Sequence, residues 1–272
     1  MYAILAATFL FLKSGEKFAT QEVAGPTVGL LTAYVGDRTG VKLEPRVMND
    51  PVKAAEFCGA DKPRVGIVTP GFYLQYATAL GMEPVLETRR TGVLEERYVL
   101  VARKDASGDL AKWQGKTVAT PLAGEQRYVT SVVLQGKLGE EIRLRQIDDV
   151  EGAIFDLTED AGPHRDNVAQ GTAKNAADAV LMEAAAWKLF EKDEEFGPKL
   201  KVLFTSDELP RDLVVLFGSK SGALDADKLK TVLKGMSRSE DGQKILQSIR
   251  VESFVDLDRD KLTRTEKLFY GK

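Results

Sequence analysis

The chain has 272 residues, 43% hydrophobic and 29% charged, with a formal net charge of -3 at neutral pH. That length exceeds the usual ~100–200 residues of one domain and favours two lobes. The mildly acidic balance lacks the basic excess that nucleic acid or an anionic membrane surface requires, and the single cysteine, Cys58, excludes an intramolecular disulfide.

The opening segment, MYAILAATFLFLK, has an apolar stretch from Ile4 to Leu12, but no basic start and no small-x-small cleavage site. It is also shorter than the ~20 apolar residues of a membrane span. It reads as a buried first strand, Tyr2 to Ala7, followed by a loop, Thr8 to Lys13. A helix ending at Gly40 comes next, then the strand VKLEPRVM. The helix PVKAAEFCGA makes Cys58 a buried structural thiol. After the strand RVGIVTP, Thr69 is placed to cap a helix whose first position is Pro70 and whose stop is Gly81. Strands alternating with helices predict an α/β fold with a largely parallel sheet.

Beyond EPVLETRR, the strand ERYVLVARKDA leads into the polar linker KDASGDL. A second series opens with WQGKTVATPLAGEQRYVTSVVL, read as strand, sharp turn and helix. It continues through EIRLRQI, DDVEGAIFDLTED and ADAVLMEAAAWKLF. DLVVLFGSK supplies another strand, followed by two helices and a helical tail. Crossovers are expected near Val101 to Asp105 and Leu209 to Val214. Residues 1–102 with 214–272 then form lobe 1 and residues 103–213 lobe 2, with a ligand cleft between them.

Catalytic and cofactor signatures are missing. His164, the sole histidine, stands in AGPHRDN without a serine or cysteine nucleophile motif. His164-Arg165-Asp166 matches the letters of a kinase catalytic loop, but Gly171 stands where that loop needs asparagine. Walker A, G-x-G-x-x-G and G-x-S-x-G are absent. One Cys and one His cannot supply a usual zinc set, and DLDRD, residues 256–260, reads as a solvated acidic turn. No cofactor and no metal are expected.

Three loops follow predicted strands, where open α/β sheets hold their ligands and helix N-termini offer free N–H groups. They contribute Thr8, Phe9 and Phe11; Thr69, Pro70, Phe72 and Tyr73; and the stretch from Pro121 to Tyr128. Tyr76 is read as packing on a helix face.

LTAYVGDRTGVKLEPRV, VGIVTPGFYLQYA, ERYVLVARKDA, DLAKWQGKTVAT and AADAVLMEAAAW, in that order from about residue 2 to 250, resemble the PhnD-like phosphate/phosphonate-binding proteins of ABC importers. The resemblance implies a non-enzymatic, two-lobed type II periplasmic binding protein, two Rossmann-like lobes joined by a two-crossover hinge. Such a protein delivers a small-molecule ligand to a membrane permease. It also implies a periplasmic or membrane-tethered monomer whose targeting segment is absent from this sequence. By residue matching it adds Tyr98 near the hinge and Glu183 after ADAVLM to the ligand-binding set, and it places Glu125, Gln126, Arg127 and Tyr128 at the second-lobe helix start.

The departures from that family point to a different ligand. Where its members carry a Ser-Thr-Ser type run, this chain has PLAGEQR, so Leu122 and Ala123 replace hydroxyls and Glu125 adds negative charge. Arg127 is available to neutralise Glu125 or to grip a carboxylate or phosphate. The succession Phe9, Leu10, Phe11, Leu12 leaves some of these side chains facing a cleft, solvent or partner if only alternate members are buried. The resulting expectation is an amphipathic or lipid-like ligand, sterol-like in character, with Glu125 as polar anchor. The alternatives are a phosphonate, phosphate or other small oxyanion or carboxylate, an enzyme on the same fold using Glu125, Arg127 and Glu183, or a protein interface at TFLFL.

Overall fold

A computed structural model describes residues 6–139, 141–159, 177–218 and 224–271. In chain order the first elements are β1 (Ala7–Leu12), α1 (Gln21–Thr39), β2 (Leu43–Met48), α2 (Pro51–Asp61), β3 (Val65–Val68), α3 (Pro70–Leu80) and β4 (Met82–Arg90). There follow β5 (Tyr98–Arg103), β6 (Thr117–Thr120), β7 (Arg143–Gln146), α4 (Val150–Thr158), β8 (Ala179–Glu183), α5 (Ala184–Glu191) and β9 (Leu200–Thr205). The last are β10 (Leu213–Phe217), α6 (Ala226–Gly235), α7 (Glu240–Ser248), β11 (Val251–Val255) and α8 (Arg259–Tyr270). The chain divides into two compact units, Met1–Leu94 with Pro210–Lys267, and Glu95–Leu209 with Leu268–Lys272.

The first unit is built on a six-stranded sheet in the order β11-β4-β10-β3-β1-β2. β1 runs parallel to β2 on one side and to β3 on the other. Phe9, Leu10 and Leu12 are fully buried and Phe11 is 5% exposed. Phe9 and Phe11 pack with Val28, Leu31 and Val35 of α1 and with Ile67 and Val214. TFLFL is therefore a central strand and not a loop, which corrects the sequence reading. Alternation marks a half-exposed strand, whereas a parallel strand covered on both faces is apolar throughout. Gly66 on β3 allows the close approach of β1, because a Cβ there would lie 2.8 Å from the Leu10 carbonyl oxygen.

Helix boundaries follow local chemistry. Asp50 caps α2 by accepting the Val52 and Lys53 N–H groups, and Pro51 takes its first position. α1 and α3 stop where Gly40 and Gly81 adopt the left-handed conformation, with φ of 80° and 60°. Tyr76 packs against Phe72 with ring centroids 5.0 Å apart.

The second unit carries a five-stranded sheet, β7-β6-β8-β5-β9. Its core gathers Val99 and Val101 of β5, Val180 and Met182 of β8, Ile154 of α4 and Trp187 of α5.

Both sheets are mixed rather than largely parallel. β10 is antiparallel to β3 and β4, β11 to β4, and β5 to β8 and β9. The chain enters β5 and β10 directly from the other unit, without the crossover helix that would make them parallel to their neighbours. Because β5 belongs to the second sheet, the division falls at Leu94 and not within residues 101–105. Residues 95–102 and 268–272 accordingly lie in the second unit and residues 210–213 in the first. Two strands escaped the sequence reading, β9 and β11. In both, polar residues interrupt the apolar pattern, and what was read as a helical tail is β11 followed by α8.

Candidate functional site

In the first unit the parallel strands β1, β2 and β3 end on one edge, and the residues just beyond β1 and β3 carry polar chemistry. Thr69 caps α3: its Oγ1 accepts the Phe72 N–H at 3.4 Å and its carbonyl accepts the Tyr73 N–H at 3.0 Å. The Ser14 hydroxyl lies 3.4 Å from that of Thr69. Both side chains are buried, at 6% and 8% exposure. Lys13 forms a hydrogen-bonded ion pair with Asp212, the residue that precedes β10. Burial opposes the Lys13 charge, but the Asp212 and Glu16 carboxylates outweigh it and hold its pKa above the ordinary lysine value. This edge thus combines two hydroxyls, the N-terminus of an eleven-residue helix and one internally paired cation.

Of the residues expected here, Thr69, Pro70 and Tyr73 lie at this edge, while Phe72 points into the core with no exposure. Phe9 and Phe11 are core residues, and Thr8 stands near the amino end of β1, away from the strand carboxyl ends. There it lines a cavity of about 510 Å³ together with Arg64 and Phe217. Lys13, Ser14 and Asp212 were not singled out as ligand residues. The signal available was their place immediately beyond or before strands.

In the second unit Thr120 ends β6, and its hydroxyl accepts the Leu122 N–H at 3.2 Å, tightening the turn. The Gln146 side chain donates to the Pro121 carbonyl at 2.9 Å. The expected α-helix does not follow. A short 3-10 turn, Ala123–Glu125, leads to a π-helical segment, Tyr128–Val133, a rare geometry found often at functional sites. β-branched residues at 129, 130, 132 and 133 disfavour a regular α-helix here. Glu125 and Tyr128 are buried, and Gln126 is exposed. Arg127 donates from Nε to the Phe269 carbonyl at 3.1 Å, and its guanidinium stands 4.7 Å over the Phe269 ring. Its guanidinium is thus committed to the end of α8. Tyr98 and Glu183 are direct partners in the β5–β8 ladder, so the same edge of the second sheet brings them together.

His164 and the loop around it lie outside the described residues. Cys58 is 3% exposed, and burial together with the nearby Asp61 carboxylate pushes its thiol up to about 12, so it is protonated at neutral pH. Among the described residues no group of three or more His, Cys, Asp or Glu side chains is placed to hold a metal ion. Asp258, within the acidic DLDRD segment, caps α8 by accepting the Lys261 N–H at 2.9 Å. No helix among the described residues is long and apolar enough to cross a membrane.

The fold is similar to that of XAC2383 from Xanthomonas citri bound to chloride ion, at 14% identity and a TM-score of 0.72, covering 97% of this chain and 98% of that one. A binding protein component of an ABC phosphonate transporter from Pseudomonas aeruginosa matches at 16% identity and a TM-score of 0.64, over 97% of this chain and 85% of that one. PhnD1 from Prochlorococcus marinus, in complex with methylphosphonate, matches at 12% identity and a TM-score of 0.64, over 97% of each chain. These likenesses identify the type II periplasmic binding protein fold. No curated protein matches the chain by sequence. The sequence profile described as "ABC transporter, phosphonate, periplasmic substrate-binding protein" matches residues 19–262. Because that match covers most of the chain, this protein belongs to the phosphonate-type periplasmic substrate-binding family of ABC transporters.

Proposed function

We propose that this protein captures a small organic oxyanion of the phosphonate or carboxylate class and delivers it to a membrane permease, without chemical turnover. The observation that carries this reading is the family match over residues 19–262. The strand-end edge of the first unit supports it. The Ser14 and Thr69 hydroxyls and the α3 N-terminus are donors suited to anionic oxygens.

The lipid-like ligand expected from the sequence has lost its ground, because Phe9 to Leu12 are core and leave no exposed cluster there to line an apolar cleft. The missing hydroxyl run in PLAGEQR keeps its meaning in a narrower form. In the second unit the Glu125 carboxylate, and that of Glu183, which pairs with Tyr98 in the β5–β8 ladder, favour a ligand that also carries a hydroxyl or protonated group able to donate to a carboxylate.

A thermal-shift panel on ligand-stripped protein tests the reading with methylphosphonate, aminoalkyl phosphonates, phosphate, small carboxylates, fatty acids and a sterol. At about 100 times its dissociation constant, a ligand adds about 2.7 kcal/mol to stability. The expected outcome is a shift of several degrees with a phosphonate or carboxylate and none with fatty acid or sterol; a shift with only the apolar compounds overturns it.

A further inference from the structure

Three chain segments pass from one unit to the other: Leu94 to Glu95, Leu209 to Pro210, and Lys267 to Leu268 within α8. The first unit ties the approaches to all three through one carboxylate and one guanidinium. Glu87 on β4 is 1% exposed, and its Oε1 accepts the backbone N–H of Asp258, the cap of α8, at 3.1 Å. Its Oε2 lies 4.0 Å from Nη1 of Arg211, the residue two beyond the second crossing. Arg211 in turn donates from Nη2 to the Leu94 carbonyl at 2.8 Å, at the first crossing. The other end of α8 is held within the second unit, where Arg127 donates to the Phe269 carbonyl and covers the Phe269 ring. A cation at a helix C-terminus is also favoured by the helix dipole.

We propose that α8 is a tie anchored at both ends, by Glu87 with Arg211 at its cap and by Arg127 at its last turn, and that these anchors set the freedom of the two loop crossings. The argument is physical. A buried ion pair adds little net stability over an apolar replacement, so a Glu87–Arg211 contact that joins the two loop crossings to the cap of α8 is better suited to fixing one arrangement of those segments than to holding the core. Arg127 is then a positioning residue and not a ligand contact. Lys261, 5% exposed with its Nζ 3.5 Å from Asp258 Oδ2, completes the polar surroundings of the cap.

This inference is independent of ligand identity and is tested on the ligand-free full chain by hydrogen exchange with mass spectrometry. The variants are Glu87→Gln, Arg127→Gln and Phe269→Leu. Both second-unit variants are expected to speed exchange several-fold in residues 266–271 and also in residues 92–97 and 207–212, as local opening free energies fall. Exchange in β1 and β8 stays unchanged, which shows that the fold persists. Glu87→Gln is expected to loosen residues 257–262 and the same two crossings. If the tail loosens while both crossings keep their protection, α8 is only an appended helix and the proposal fails. It fails equally if Arg127→Gln leaves the tail protected. Should Arg127→Gln disturb β8 as well, Phe269→Leu, which keeps the guanidinium, decides the matter by the same two crossings.

Discussion

Lys13, the first residue after β1, is ion-paired with Asp212, the residue before β10, 199 positions further along the chain, with both side chains 14% exposed. The pair fastens the central strand to the strand that returns from the second unit. Removing one partner leaves the other charge buried without compensation, so Lys13→Ala is expected to cost about 2–4 kcal/mol in a urea titration. Lys13→Met with Asp212→Leu should recover most of that loss. Because the folded state raises the lysine pKa, the contribution is complete below the unfolded value of 10.5 and disappears only as pH rises through the higher folded value. Stability of the wild type relative to Lys13→Met should therefore be flat through neutral pH and decline in the alkaline range.

Glu87 has a dependence of the same sign in a lower pH range. Burial raises its pKa, against the lowering effects of the Asp258 N–H, Lys261 and Arg211. The folded state then binds more protons than the unfolded state between 4.5 and the raised value, so wild-type stability gains from this group as pH falls through that window. Glu87→Gln lacks the term. Its stability relative to the wild type should be greatest above the window and shrink towards pH 4.5. A difference that grows on acidification would contradict the assignment.

The course of the chain was legible where patterns are local. Thr69, Pro70 and Gly81 marked α3 at both ends because capping chemistry depends on a few neighbouring residues. Cys58 as a buried thiol followed from its apolar helix. What failed depended on partners distant in sequence. TFLFL is a strand because β2 and β3 flank it on both sides, and β5 belongs to the second sheet because of β8 and β9. Arg127 was visible as a cation near Glu125, but its partner Phe269 lies 142 residues away. At the candidate site, Thr69 and Tyr73 could be read from strand-then-cap order, while Ser14 and Asp212 required the fold to bring them there.

Phe9 offers a direct check on that correction. As a fully buried core residue, Phe9→Ala is expected to cost about 3–5 kcal/mol by leaving a cavity. Ligand affinity of the folded fraction should be unchanged. A variant of normal stability with impaired binding would return this strand to the ligand site.

Gly66→Ala should also destabilise the first unit, since its Cβ would press on the Leu10 carbonyl oxygen and the Phe217 ring 3.2 Å away. Strain of this kind costs about 1–3 kcal/mol, readable as a lower denaturation midpoint with an unchanged slope.

The oxyanion reading is tested most directly by isothermal titration calorimetry of a phosphonate or carboxylate from the panel, on ligand-stripped wild type and on Thr69→Val. Losing the hydroxyl removes the α3 cap, worth about 1 kcal/mol of stability, and a donor at the first-unit edge. The account predicts one-to-one binding to the wild type and an affinity roughly tenfold weaker in a folded Thr69→Val protein, as for one charge-assisted hydrogen bond. Absence of oxyanion binding by the wild type, or equal affinity in the two proteins, would contradict it.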